Sequence, residues 1–176
     1  DRVGKKVKKI LWFGGIYPWF DLRNLVKAAA QVNEETPVTL TIVGAKNPFN
    51  NHPDFIRRYE ELESFIASDK KFQDVVHIQD WVNFDDRADW YLDSDLVVVI
   101  NKIGDENKLA WRTRLVDFMW ASLPVVTNGG DPLGEQLLAN NAAARIMGLE
   151  SQDISKAINE LLVNAKTMEV MRKNMS

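Results

Sequence analysis

The chain has no cysteine in its 176 residues, which excludes disulfides, thiolate metal sites and cysteine nucleophiles. Histidine is nearly as scarce. His52 and His77 stand far apart, with no acidic spacing around them that suggests a metal site. His77 lies in the apolar run Val75-Val76-His77-Ile78 and reads as a structural residue on an edge strand. A hydrolase triad or a zinc enzyme therefore has no support. No apolar stretch is long enough to cross a bilayer, and the basic cluster Lys5, Lys6, Lys8 and Lys9 runs straight into a strand-like segment rather than a signal-peptide core. The expected setting is the cytoplasm. An excess of one charge is lacking too. The net charge is -3, from 22 basic and 25 acidic residues, and gives no reason to expect nucleic acid as a partner. Repeats, low-complexity tracts and linkers are absent, so one domain is expected over residues 1–176.

What is present is an alternation of short apolar runs and amphipathic segments. Lys9 to Phe13 reads as a buried strand ending in the turn Gly14-Gly15. Asp21 caps a predicted helix whose apolar face is Leu22, Leu25, Val26, Ala29 and Val32, stopped by Pro37. Val38 to Val43 is a second strand, Asp54 to Ser68 a helix, and Val75 to Ile78 a third strand. Phe84 to Asp93 is predicted helical, Leu96 to Ile100 a β-branched fourth strand, and Leu109 to Ala121 one continuous helix. A fifth strand at Val125-Val126, a helix near Leu133 to Ala139, a strand near Ala144 to Ile146 and helices from Ile154 complete the chain. Continuous apolar strands between helices predict an α/β, Rossmann-like, doubly wound parallel sheet with order 3-2-1-4-5-6. Ligands of such sheets bind outside the carboxyl ends of the strands.

The loops at that edge hold the candidate residues. The densest cluster is Asp105-Glu106-Asn107, Trp111-Arg112-Thr113-Arg114 and Asp117. A helix start offers unpaired N–H groups to phosphate, and arginines in its first turns add bidentate donors. Asp117 is an acceptor-only carboxylate suited to two vicinal ribose hydroxyls. The alternative is a solvated helix with an Arg114–Asp117 pair three residues apart. Gly14-Gly15 permits close backbone approach to a ligand or is a plain turn; it lacks the G-x-G-x-x-G fingerprint. Gly130-Asp131 is equally ambiguous, with Asp131 placed to cap the next helix. Of the six tryptophans, Trp12, Trp90, Trp111 and Trp120 read as packing residues, whereas Trp19 and Trp81 sit in loops at the ligand edge.

At these residues the sequence resembles the C-terminal domain of GT-B glycosyltransferases of the family-4, or group 1, type. Leu115 to Val126 is similar to that family's L-E-A-M-A-x-G-x-P-V-V element. Val76 to Val82 is similar to V-x-F-x-G-x-V, Tyr91 to Val99 to L-Y-x-x-A-D-V-x-V, and Leu40 to Gly44 to L-x-I-V-G. A subgroup often found in surface-polysaccharide gene sets is closer still, sharing the elements that read here Gly14 to Asp21, Asp80-Trp81-Val82, Arg112 to Pro124 and Gly130-Asp131. The resemblance implies a nucleoside-diphosphate sugar donor, held by Gly14, Gly15, Trp81, Val82, Glu106, Arg112, Arg114, Asp117, Gly130 and Asp131, and no metal or other cofactor. Asp117 occupies the second position of the family's E-x7-E pair, which holds the ribose. The first position is Leu109, and the usual Arg and Lys of the first-strand loop are missing, so Arg112 and Arg114 are the available cations. The resemblance also implies that the acceptor site and any catalytic base belong to an N-terminal domain absent from this chain, which alone is expected to be inactive. It leaves room for peripheral membrane association of the full-length enzyme. Two rival readings are a dinucleotide-dependent oxidoreductase, which the missing glycine fingerprint and Gly44-Ala45 closing the second strand disfavour, and a non-catalytic α/β interaction domain.

Overall fold

The computed structural model describes residues 6–175; Lys5 of the basic cluster and the two chain ends lie outside the described residues. Its centre is β1 (Lys8–Phe13), which pairs in parallel with β2 (Val38–Val43) on one side and β4 (Leu96–Val99) on the other. With β3 (Val76–Gln79), β5 (Val125–Thr127) and β6 (Ala143–Arg145) this gives one sheet of order 3-2-1-4-5-6 with every pair parallel. The predicted topology is the observed one, and His77 is an exposed residue of edge strand β3.

Both faces are covered, as the continuous apolar strands require. Successive side chains of β1 go to opposite faces. Ile10 and Trp12 join the core formed with α1 (Leu22–Glu35), α2 (Pro53–Ala67), α8 (Ser151–Leu162) and α9 (Ala165–Asn174). Leu11 packs in the second core with Tyr91 of α4 (Arg87–Leu92), Leu115 and Phe118 of α6 (Thr113–Trp120), and Leu133 and Leu137 of α7 (Pro132–Ala139). Asp21 caps α1 by accepting from Asn24 N at 3.2 Å, and the helix ends at Thr36, before Pro37. A four-residue helix, α3 (Lys70–Gln73), precedes β3 and has too few residues to leave a periodic signal. A 3-10 turn, Phe84–Asp86, supplies the start of the predicted Phe84–Asp93 helix.

One expectation fails. The helix expected over Leu109 to Ala121 begins only at α6, after an extended Ala110 and a non-helical Arg112, and a separate short helix that was not expected, α5 (Asp105–Leu109), precedes it. The break follows from side-chain ties that a straight helix would not allow. Arg112 turns back to grip Glu106, and Asn107 donates to the carbonyl of Gly129 at 2.9 Å. With the break, Trp111 is exposed; so is Trp120 on the outer side of α6, whereas Trp12 is buried and Trp90 packs on the second core. Two of the four tryptophans expected to pack therefore do not.

α6 ends on Ser122, whose φ of +48° places a serine in the left-handed region while Leu123 N bonds back to the carbonyl of Phe118 at 2.9 Å. Glycine is the residue favoured at such a helix end. Ser122→Gly is expected to raise stability by about 0.5–1 kcal/mol, relief of left-handed strain offset by extra freedom of the unfolded chain. Leu25→Ala, at a fully buried position, should lower it by about 2–5 kcal/mol. Urea unfolding of the three proteins checks both; a destabilised Ser122→Gly chain would contradict the assigned helix end.

Candidate functional site

Between β1 and β4 the sheet order reverses, and the connections leave the two strands in opposite directions. No crossover roofs the carboxyl ends there, so a crevice opens. It has a volume of about 170 Å³ and is walled by the ends of β1 and β4, by Tyr17, Trp19 and Phe20, and by Trp111 to Leu115. The loop after β1 is stitched to the exit of β4. Lys102 N donates to the carbonyl of Trp19 at 2.7 Å, Lys102 Nζ to that of Pro18 at 2.8 Å, and Phe20 bridges Asn101. The aromatic wall is thus fixed: Tyr17 and Trp19 stack with ring centres 4.8 Å apart, and Phe20 meets Trp12 edge-on.

Arg114 lies in this crevice against Gly14. Gly14 has a φ of +134°, and a Cβ placed on it would overlap the Arg114 guanidinium, so glycine is required both by the backbone and by the approach. Arg114 is partly buried and makes no hydrogen bond or ion pair with any described residue. Burial pulls its guanidinium down from the usual arginine range, opposed by the neighbouring Tyr91, Tyr17 and Asp117. A sheltered cation with no carboxylate in hydrogen-bonding contact is costly unless something anionic joins it. Gly15 lies beyond, packed under the ring of Tyr17.

Arg112 has a different fate. Its guanidinium is bidentate to Glu106, at 2.9 and 2.6 Å, reaches Asn107 Oδ1 at 3.3 Å, and lies over the Phe20 ring. Glu106 neutralises it through its two terminal nitrogens, while the Arg112 Nε is buried on the crevice wall without a hydrogen-bond partner among the described residues. The two arginines that spacing treated as equivalents are therefore a tie and an open charge.

Asp117 is not paired with Arg114, as three-residue spacing allowed. Its Oδ2 meets Arg87 Nη1 at 3.2 Å and accepts from the Tyr91 hydroxyl at 3.4 Å; Oδ1 has no partner among the described residues. Burial, then Asp117, pushes the Tyr91 hydroxyl up to about 12. Arg87, itself over the Phe84 ring at 3.6 Å, and Tyr91 were not foreseen. They come from α4, and only the adjacency of α4 and α6 on one sheet face, visible in the edge-on packing of Tyr91 and Phe118, brings them to Asp117. Phe84, Asp85, Arg87, Tyr91, Val116, Asp117 and Trp120 line a second, open hollow there.

The remaining sequence candidates divide. Trp81 and Val82 follow the carboxyl end of β3, where Trp81 is half exposed against Phe49 and Val82 packs on the second core. Gly130 and Asp131 do not reach the crevice. Gly130 N donates to Glu135 Oε1 at 2.7 Å, and Asp131 is completely buried, its Oδ1 accepting from Gly134 N at 2.8 Å as the cap of α7. Asp131 is a helix cap and not a ligand-facing acid. Among the described residues no three of His, Asp and Glu are grouped so as to hold a metal ion, and no helix is long and apolar enough to cross a membrane.

Comparison with solved structures places this architecture. The C-terminal domain of LpcC, a group 1 family glycosyl transferase from Francisella tularensis, superposes with a TM-score of 0.66 at 17% identity, over 97% of this chain and 83% of that domain. HepE from Anabaena, crystallised with UDP-glucose, gives a TM-score of 0.72 at 20% identity, over 96% of this chain but 43% of HepE. The catalytic domain of the cholesterol-α-glucosyltransferase from Helicobacter pylori gives 0.68 at 16% identity, over 97% and 95%. At these identities the likeness establishes the fold, and this chain spans less than half the length of HepE. No curated protein matches the sequence. Residues 7–164 match the family described as Glycosyl transferases group 1, and the chain belongs to that family.

Proposed function

We propose that this chain is the donor-binding domain of a two-domain glycosyltransferase and holds a nucleoside-diphosphate sugar across the β1/β4 crevice. The observation that carries the proposal is Arg114: a sheltered guanidinium, with no hydrogen bond or ion pair to any described residue, lying on a glycine at the sheet's switch point. A diphosphate supplies the missing charge and accepts bidentate hydrogen bonds. The start of α6, which no side chain caps, adds unpaired N–H groups beside it. Protein cations then stabilise the leaving diphosphate, and the reading needs no metal.

The rest of the donor follows from that anchor. Asp117 stands one turn further along α6, its Oδ2 held by Arg87 and Tyr91 and its Oδ1 free. That is a pre-oriented acceptor for the ribose hydroxyls. The nucleobase lies beyond it, toward the hollow at Arg87 and the Trp81-Val82 turn. Glu106 and Arg112 brace the break between α5 and α6 instead of touching phosphate. The acceptor site and catalytic base belong to an N-terminal domain of the same protein, as in enzymes of the two-domain type, so transfer to an acceptor hydroxyl requires both halves. The glycosyltransferase HepE crystallised with UDP-glucose and with UDP supports the donor class.

Titrating the chain with UDP, GDP and dTDP by calorimetry tests the anchor. Arg114→Ala should weaken the preferred diphosphate by about 1.5–3 kcal/mol. In the absence of ligand, Arg114→Met should melt no lower than the parent, because it removes an unpaired, sheltered charge. Unchanged affinity in Arg114→Ala would end the phosphate assignment. For the ribose, Asp117→Asn should cost about 1–3 kcal/mol with the nucleoside diphosphate and much less with its 2′,3′-dideoxy analogue. Equal losses on the two ligands would reduce Asp117 to a structural partner of Arg87.

A further inference from the structure

The crevice has a chemical peculiarity on the side of Arg114 away from Asp117. There Tyr17, Trp19, Phe20 and Trp111 form the wall, and among the described residues no carboxylate lines it. Of the acids near these residues in sequence, Asp21 is taken up as the cap of α1 and Glu106 by its bidentate bond to Arg112. Leu109, which stands where the family pattern has its first acidic residue, is 84% exposed and lines no part of the cavity. Carboxylates grip sugar hydroxyls because they accept two hydrogen bonds in a plane. Aromatic faces instead favour contiguous C–H surface, and a hydroxyl pressed on them loses its water without gaining a partner.

The guanidinium also fixes an order along the ligand. Asp117 and Tyr91 line the open hollow at Arg87 and are not part of the crevice wall, whereas Arg114 lines the crevice together with Tyr17, Trp19 and Trp111. With the ribose at Asp117 and the diphosphate at Arg114, the sugar falls on the Tyr17, Trp19 and Trp111 side. Trp111 is a large apolar side chain that is 60% exposed and lines the crevice. Trp19 is held in place by its stack on Tyr17 and by the bond from Lys102 N.

From this geometry we infer that Trp19 and Trp111 form the sugar subsite, and that its aromatic, carboxylate-free wall selects a donor carrying a 6-deoxyhexose over the parent hexose. The inference rests on the donor-binding reading above. A methyl at C6 adds apolar surface to the stack, whereas a C6 hydroxyl has to give up solvent against the rings. Arg112, already neutralised by Glu106, offers no free charge to a uronic acid, which separates this class from acidic sugars.

The test compares three ligands on the intact chain: the diphosphate that binds best among UDP, GDP and dTDP, the same diphosphate carrying glucose, and the same carrying 6-deoxyglucose. The 6-deoxy sugar is expected to bind at least about five-fold more tightly than the bare diphosphate and about three-fold more tightly than the glucose form. Trp111→Ala, at an exposed position, should bring the 6-deoxy sugar nucleotide to within about two-fold of the bare diphosphate when both are measured on that variant. Glucose binding as tightly as 6-deoxyglucose, or a sugar gain that survives in Trp111→Ala, would overturn the inference while the diphosphate site stands. Failure of all three diphosphates to bind would overturn the donor reading and the inference together.

Discussion

β1 is bonded in parallel on both edges, and its neighbours' helices leave in opposite directions. Right-handed crossovers then put α1 and α2 on one face and α4 and α6 on the other, and nothing can close the carboxyl edge between β1 and β4. The crevice is a topological consequence before it is a chemical one. What the local residues do is furnish it: Gly14 keeps its backbone clear, the β1 loop bends over to bond Lys102, and the break between α5 and α6 turns Arg114 inward. Remove the reversal and the same residues would sit on separate surfaces.

The topology was open to sequence reasoning because strand runs such as Val38 to Val43 and Leu96 to Val99 are apolar throughout, which only a doubly covered parallel sheet explains. The site was readable to the extent that its parts are close in sequence. Gly14, Arg114 and Asp117 were all marked by residue type and position. Their partners were not, because Arg87 and Tyr91 reach Asp117 across the α4–α6 contact, and no spacing along the chain encodes it. The helix break was hidden for a related reason. Its cause is a bond from Arg112 back to Glu106 and one from Asn107 to Gly129, both made in three dimensions, while the local residues are acceptable helix formers. Asp131 shows the opposite error. Its place beside a glycine at the ligand edge suggested a contact, but the side chain is buried and caps α7 through Oδ1, leaving Oδ2 buried without a partner among the described residues.

The two arginines of the crevice differ in their partners. Two residues apart at the start of one helix, they would repel each other and bind an anion jointly if both were free. Glu106 takes the charge of Arg112 and converts that side chain into a brace, through which α5 is held to α6. Arg114 is thereby left as the open guanidinium beside Gly14, and its position is defined by a neighbour whose own charge has been cancelled. The arrangement costs stability, since a sheltered unpaired cation is poorly solvated. In a domain that folds around two well-filled apolar cores, that cost can be carried, and it is greatest where a dianionic ligand would return it. In the donor-binding reading proposed above, an empty crevice that is electrostatically unfavourable, and a filled one that is not, would concentrate binding energy on the diphosphate instead of spreading it along the edge of the sheet.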